Sequence, residues 1–181
     1  MVESNNMKKK INKNKGILFW ITGLSGSGKT TISRLIKKDI IKNYGPTLLV
    51  SGDDLRKIFH FNKYSLIERQ LLAKKFCNFA KFITNQNINL IFATVTMMHA
   101  PRTWNRKNIE KYIEIFIKSN INKIIDAKKK KIYHKKNIGD LVGLSIKPQN
   151  PKKPDIIITN NFDKPIKHLS NILMNKIKHI I

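Results

Sequence analysis

Residues 23–30 read Gly-Leu-Ser-Gly-Ser-Gly-Lys-Thr, the Gly-x-x-x-x-Gly-Lys-Thr spacing in which a loop of backbone amides wraps a phosphate. Its three glycines let consecutive N–H groups turn inward at one anion. The Lys29 ammonium is then placed to reach β- and γ-phosphates, and the Thr30 hydroxyl to ligate Mg²⁺. The expected nucleotide-binding set is Gly23, Leu24, Ser25, Gly26, Ser27, Gly28, Lys29, Thr30 and Thr31, with ATP and Mg²⁺ as ligands. The pattern gains its meaning from context: the apolar run Gly16–Thr22 precedes it, and a helical pattern that offers its positive end to the anion follows.

The elements that must position this loop alternate along the chain. A strand is expected over 17–22, and a helix from Thr30 to about Asn43 with Ile32, Leu35, Ile36 and Ile40 on one face. Tyr44-Gly45-Pro46 stops that helix, and Thr47–Val50 reads as a second strand running into a loop Ser51-Gly-Asp-Asp54. Ser65, with Glu68 three residues on, is a capping box opening a helix to about Asn85. Ile88–Thr94 is apolar enough for an interior strand of a parallel sheet. A helix near 101–110, a strand Tyr112–Ile117 and a short helix near 120–126 follow. A basic irregular stretch runs to Pro154, then a strand Asp155–Thr159 and a helix 165–179 close the chain. Such alternation implies an α/β fold, a parallel sheet with helices on both faces.

Composition bounds the rest. The chain has 181 residues, 41% of them hydrophobic, which suits one α/β domain. Residues 1–15 form a polar, basic tail expected to be disordered. No apolar run is long enough to cross a membrane, and Cys77, the only cysteine, sits on an apolar helical pattern as a buried thiol. A reducing cytoplasm is the expected location. The net charge of +25 resides almost wholly in lysine, with only five arginines, at 34, 56, 69, 102 and 106. Lysine, isoleucine and asparagine are inflated together, as A/T-rich codons produce, so a solvated basic surface is preferred to polynucleotide binding.

Further blocks narrow the reading. They are Gly52-Asp53-x-x-Arg56, Tyr64-Ser-x-x-Glu68-Arg69, Thr94-Val-Thr96, Trp104-Asn-Arg106, Tyr112-x-Glu-Ile-Phe116, Lys130-x-x-Tyr133, Val142-Gly143 and Pro151-x-x-Pro154-Asp155. In this order, over about residues 16–175, the chain resembles the adenylylsulfate kinase family, which moves the γ-phosphoryl of ATP to the 3′-hydroxyl of adenosine 5′-phosphosulfate (APS). The resemblance implies a P-loop kinase domain over 16–181, with a basic lid segment at about 127–154 and a small anionic nucleotide as acceptor. A homodimer is compatible with it. It implies that Arg56 and Arg69 hold the acceptor, that Thr96 keeps an active-site hydroxyl, and that Lys130 closes from the lid with Tyr133 beside it. It also sets Arg102 and Arg106 near the phosphates. Asp53, at the carboxyl end of the second strand, is the expected base or, through water, a metal partner; helix capping is its alternative. Asp54 is expected to cap a helix, and His99 and Trp104 to be surface or packing residues.

The chain also departs from the family pattern. Ser51 replaces an acid, Leu72 an asparagine and Pro148 an aromatic residue; Ala127-Lys128 and Lys131 alter the lid, which is shorter. These changes fall on acceptor and lid, and they keep a second acceptor open. Relatives with a Trp-Asn-Arg block act on other nucleotide conjugates, such as cytidine diphosphoramidate, in surface-polysaccharide pathways. A non-catalytic nucleotide- or nucleic-acid-binding protein is the third reading.

Overall fold

The computed structural model describes residues 15–61, 65–127 and 142–181. Its strands are β1 (Leu18–Thr22), β2 (Thr47–Ser51), β3 (Asn89–Thr94), β4 (Tyr112–Lys118) and β5 (Ile156–Thr159). They pair in parallel in the order β2-β3-β1-β4-β5. The helices are α1 (Lys29–Tyr44), α2 (Gly52–Ile58), α3 (Leu66–Asn85), α4 (His99–Asn108), α5 (Ile121–Asp126) and α6 (Ile166–Ile180).

β1 is the middle strand because its sequence has no polar face to offer. All five of its residues are fully buried. Phe19 and Ile21 pack with Ile32 and Ile36 of α1 and Leu173 of α6 on one side of the sheet. Leu18 and Trp20 pack with Phe76 and Ala80 of α3 and Phe92 of β3 on the other. The Trp20 and Phe76 rings meet Phe92 edge-on, at centroid distances of 5.0 and 5.1 Å. Each such side chain contributes about 1.5–3 kcal/mol by leaving water, so the strand that carries the phosphate loop is firmly held on both faces.

The element order follows the sequence reading, with instructive shifts. The expected loop at 51–54 is instead the start of α2. Ser51 Oγ accepts from the Asp54 amide at 3.1 Å, and Asp54 Oδ2 accepts from the Ser51 amide at 3.0 Å, a reciprocal capping box. Gly-Asp-Asp is a poor helix interior but a good first turn, which is where it stands. The Ser51 hydroxyl, donating at 2.7 Å, is the main reason that the Asp54 carboxyl sits below its ordinary pKa. Ser65 caps α3 through the Glu68 amide, and α4 begins two residues early because Pro101 fits a first turn, where no N–H is needed.

Cys77 lies 1% exposed under α4, its thiol donating to the Pro101 carbonyl, and burial pushes its pKa up to about 12. Since the thiolate is the reactive form, the native chain at pH 8 is expected to resist a thiol-reactive disulfide reagent until denaturant is added. Rapid stoichiometric labelling of the folded protein would contradict this burial.

Candidate active site

The loop between β1 and α1 opens at the carboxyl end of the sheet, the side on which such folds meet ligands. Its shape depends on two positions that exclude a side chain. Gly28, the N-cap of α1, has φ +95°, and a Cβ there would lie 3.0 and 3.1 Å from Ile166 Cδ1 and Asn160 Nδ2. A Cβ on Gly23 would stand 2.5 Å from the Ile117 carbonyl oxygen. The Lys29 ammonium, on a side chain that is nearly buried, donates to the Leu24 carbonyl at 2.6 Å and so arches over its own loop. A phosphate in the loop competes with that carbonyl for the same charge.

A cleft of about 640 Å³ runs along this loop. Ser25, Gly26, Gly28, Lys29, Thr30 and Thr31 line it. The other three residues of the expected set lie deeper: Leu24 packs with Met97 and Phe116, Ser27 is buried, and Gly23 backs onto β4. Across the cleft stand Asp53 and Asp54 at the start of α2. Among the described residues no cluster of three metal-ligating side chains exists. Mg²⁺ fits this donor set nonetheless, because it keeps its waters and takes one or two protein oxygens plus phosphates. Thr30 and Asp53 supply such oxygens on the cleft wall.

A second cleft of about 410 Å³ adjoins the first. Arg56, Arg69 and Thr96, named from the sequence, all line it, and Leu72 and Phe76 form its apolar floor. Arg56 also donates to the Phe61 carbonyl at 3.2 Å, which anchors its fork at the end of α2. The Thr96 hydroxyl, 6% exposed, is 2.8 Å from that of Thr94. Asp53 faces both clefts, and no other carboxylate among the described residues does. A hydroxyl bound in the second cleft and a phosphate bound in the first therefore meet beside an exposed carboxylate.

Two arginines are elsewhere. Arg102 and Arg106 line neither cleft; Glu114 holds both, and Asp155 holds Arg106. Their expected place near the phosphates is thus corrected: carboxylates behind the sheet edge took them. His99 contacts Arg102 at 2.9 Å and Trp104 packs from α4 against the core cluster that holds Leu18, Trp20 and Phe92, as packing residues do. Lys130 and Tyr133 lie outside the described residues.

The structure adds residues that no motif marked. Asn160, 2% exposed at the end of β5, donates from Nδ2 to the Ser27 carbonyl at 3.0 Å and accepts the Phe162 amide on Oδ1 at 3.0 Å. One amide side chain thereby ties the phosphate loop to the far wall of the first cleft. Phe162 lines that wall with φ +63°, a strained setting for an aromatic residue. Lys147 and Gln149 line the second cleft. The one available signal was position: a polar residue directly after an apolar strand, at the sheet's ligand-binding end.

Asn160→Ala removes the partner of a buried loop carbonyl, a loss on the order of 1–3 kcal/mol. ATP affinity measured by calorimetry is expected to fall about tenfold, with the fold retained by circular dichroism. Unchanged affinity would show that the clamp does not shape the loop.

Three comparisons bear on this site. The family model for adenylylsulphate kinase matches residues 15–159. The cytidine diphosphoramidate kinase of Campylobacter jejuni subsp. jejuni serotype O:2 is 31% identical over 91% of this chain and 98% of its own length. The adenylyl-sulfate kinase of Buchnera aphidicola subsp. Schizaphis graminum is 27% identical over 91% of this chain and 82% of its own. Among solved structures, the APS kinase of Mycobacterium tuberculosis in complex with AMPPNP and APS superposes with a TM-score of 0.81 at 21% identity, covering 91% of this chain and 98% of that one. With the loop, the sheet order and the family match in agreement, the chain belongs to the adenylylsulfate kinase family, P-loop phosphotransferases that use ATP and Mg²⁺ to phosphorylate a hydroxyl group.

Proposed function

We propose that this chain transfers the γ-phosphoryl of ATP to the 3′-hydroxyl of a nucleotide conjugate, and that the conjugate is cytidine diphosphoramidate. The observation that carries the transfer is the pair of adjoining clefts that share Asp53. Support for the acceptor comes from the Campylobacter relative, matched over nearly its whole length, and from Leu72 in the floor of the second cleft where the adenylylsulfate pattern has asparagine. Adenylylsulfate is the second reading, supported by the family model.

The division of labour follows from charge. The 23–30 amides and Lys29 hold the donor phosphates, and Thr30 and Asp53 would hold Mg²⁺. The metal supplies neutralisation of charge on the transferring group. Asp53 accepts the proton of the attacking hydroxyl, since among the described residues it is the one carboxylate that faces both clefts. Arg56 and Arg69 fork onto the acceptor's phosphate oxygens, and Thr96 hydrogen-bonds near the reacting groups. The free +25 charge draws anionic nucleotides inward at low salt. A cytoplasmic location goes with this reading, where ATP is abundant and Cys77 stays reduced.

The test is a screen of the purified chain with ATP–Mg²⁺ against cytidine diphosphoramidate, APS and related pyrimidine conjugates, with products read by mass. A 3′-phosphorylated cytidine conjugate formed with the highest kcat/KM supports the proposal; preference for APS would overturn the acceptor assignment. Lys29→Ala is expected to abolish transfer in a folded protein. Arg56→Ala removes charge-assisted bonds and is expected to raise the acceptor KM about tenfold or more, with the ATP KM within about twofold. Equal effects on both substrates would remove Arg56 from the acceptor site.

A further inference from the structure

Behind the second cleft the described residues contain a run of charge whose inner pair is buried in the fold. Arg102 Nε lies 3.1 Å from Glu114 Oε1, with side-chain exposures of 4% and 6%. Glu114 Oε2 then meets Arg106 at 3.2 Å, and Arg106 meets Asp155 at 3.0 Å. Stability is a poor reason for the inner pair. Taking two ions out of water offsets most of their attraction, and apolar replacements of similar size are often as stable or more so. The same desolvation draws Arg102 below and Glu114 above their ordinary pKa values despite their contact.

The rest of the Arg102 fork points to another reason. Nη2 donates to the Gln149 carbonyl at 2.6 Å and Nη1 to the Thr96 carbonyl at 3.4 Å. Both residues line the second cleft, and they come from segments about fifty positions apart. Gln149 is fixed further by its amide, which donates to Met97, and by its Oε1, which accepts from the His99 amide at 2.7 Å. Arg106, by contrast, shares Glu114 and touches no residue of that cleft wall.

We propose that Arg102 is a positioning residue for the acceptor: locked by Glu114, its guanidinium joins the Thr96 and Gln149 main chains into one rigid wall of the second cleft. This rests on the second cleft being the acceptor site. A lysine at 102 keeps the charge but has no fork with which to bind a carboxylate and two carbonyls at once.

Steady-state kinetics of Arg102→Lys, Arg106→Ala and Arg56→Ala, with ATP and whichever of cytidine diphosphoramidate or APS the wild-type chain phosphorylates, separate the possibilities. Arg102→Lys is expected to raise the acceptor KM about tenfold with the ATP KM within about twofold, as loss of acceptor binding alone requires. Arg106→Ala is expected to lower the melting temperature while leaving both KM values in place. Glu114→Gln keeps the shape of the acid and is read in the same way, so a poorly folding Arg102→Lys does not end the test. If Arg56→Ala raises the acceptor KM while Arg102→Lys and Glu114→Gln do not, the positioning role is overturned and the acceptor site stands. If all three leave it unchanged, the acceptor site itself has been misplaced. If Arg106→Ala matches Arg102→Lys in both KM values, the network is only structural.

Discussion

The constraint on which the molecule depends is that β1 must be buried on both faces while its last residue delivers a polar loop to solvent. Leu18–Thr22 satisfy the first half by having no exposed atom to lose, sandwiched between α1 and α6 on one side and α3 on the other. The second half is met by geometry that only glycine tolerates, at Gly23 and Gly28, where neighbouring backbone and side chains occupy the space of a Cβ. A strand buried on both faces fixes the end from which the loop amides take their aim. Asn160 extends the same logic, lending β5 as a second support to the loop through one buried amide.

From that fixed loop the site grows outward along α2. The Ser51–Asp54 capping box sets where the helix starts and therefore where Asp53 stands, one residue into the first turn. Asp54 is consumed by the cap, Asp53 is left to the clefts, and the two neighbouring acids divide structure from chemistry. Arg56 follows one turn later on the same helix, so the carboxylate and the first guanidinium of the site share a single short rigid element. An acceptor whose anionic end meets Arg56 thus has its distance from Asp53 set by helix geometry.

What the sequence made legible is what local pattern determines. The phosphate loop, five of the six helices and the five strands among the described residues could be read from glycine spacing, caps and apolar period, and Asp53, Arg56, Arg69 and Thr96 do meet in or beside one cleft. The failures are tertiary. The family resemblance set Arg102 and Arg106 near the phosphates, but Glu114, on the strand β4 that pairs with β1, holds both. Asn160 carries no motif at all; its role exists only because β5 ends beside the phosphate loop. The loop expected at 51–54 was a helix start, a boundary that capping chemistry decides and propensity does not.

The two halves of the site also differ in what they are made of, and that explains why their sequences diverge unequally. The donor half is chiefly backbone: amides of 23–30, aimed by two glycines and a helix N-terminus, so only Lys29 and Thr30 need a particular side chain. The second cleft, proposed to take the acceptor, is built from side chains on α2, α3 and the segments at 94–98 and 142–149. Each of those can change one at a time without disturbing β1. Leu72 in its floor is such a change, made on a helix that is anchored to the sheet. A fold of this kind conserves its donor by construction and leaves its acceptor free to move. Rigid support then has to come from behind, and Arg102, spanning two segments of that wall from a buried carboxylate, is placed to give it.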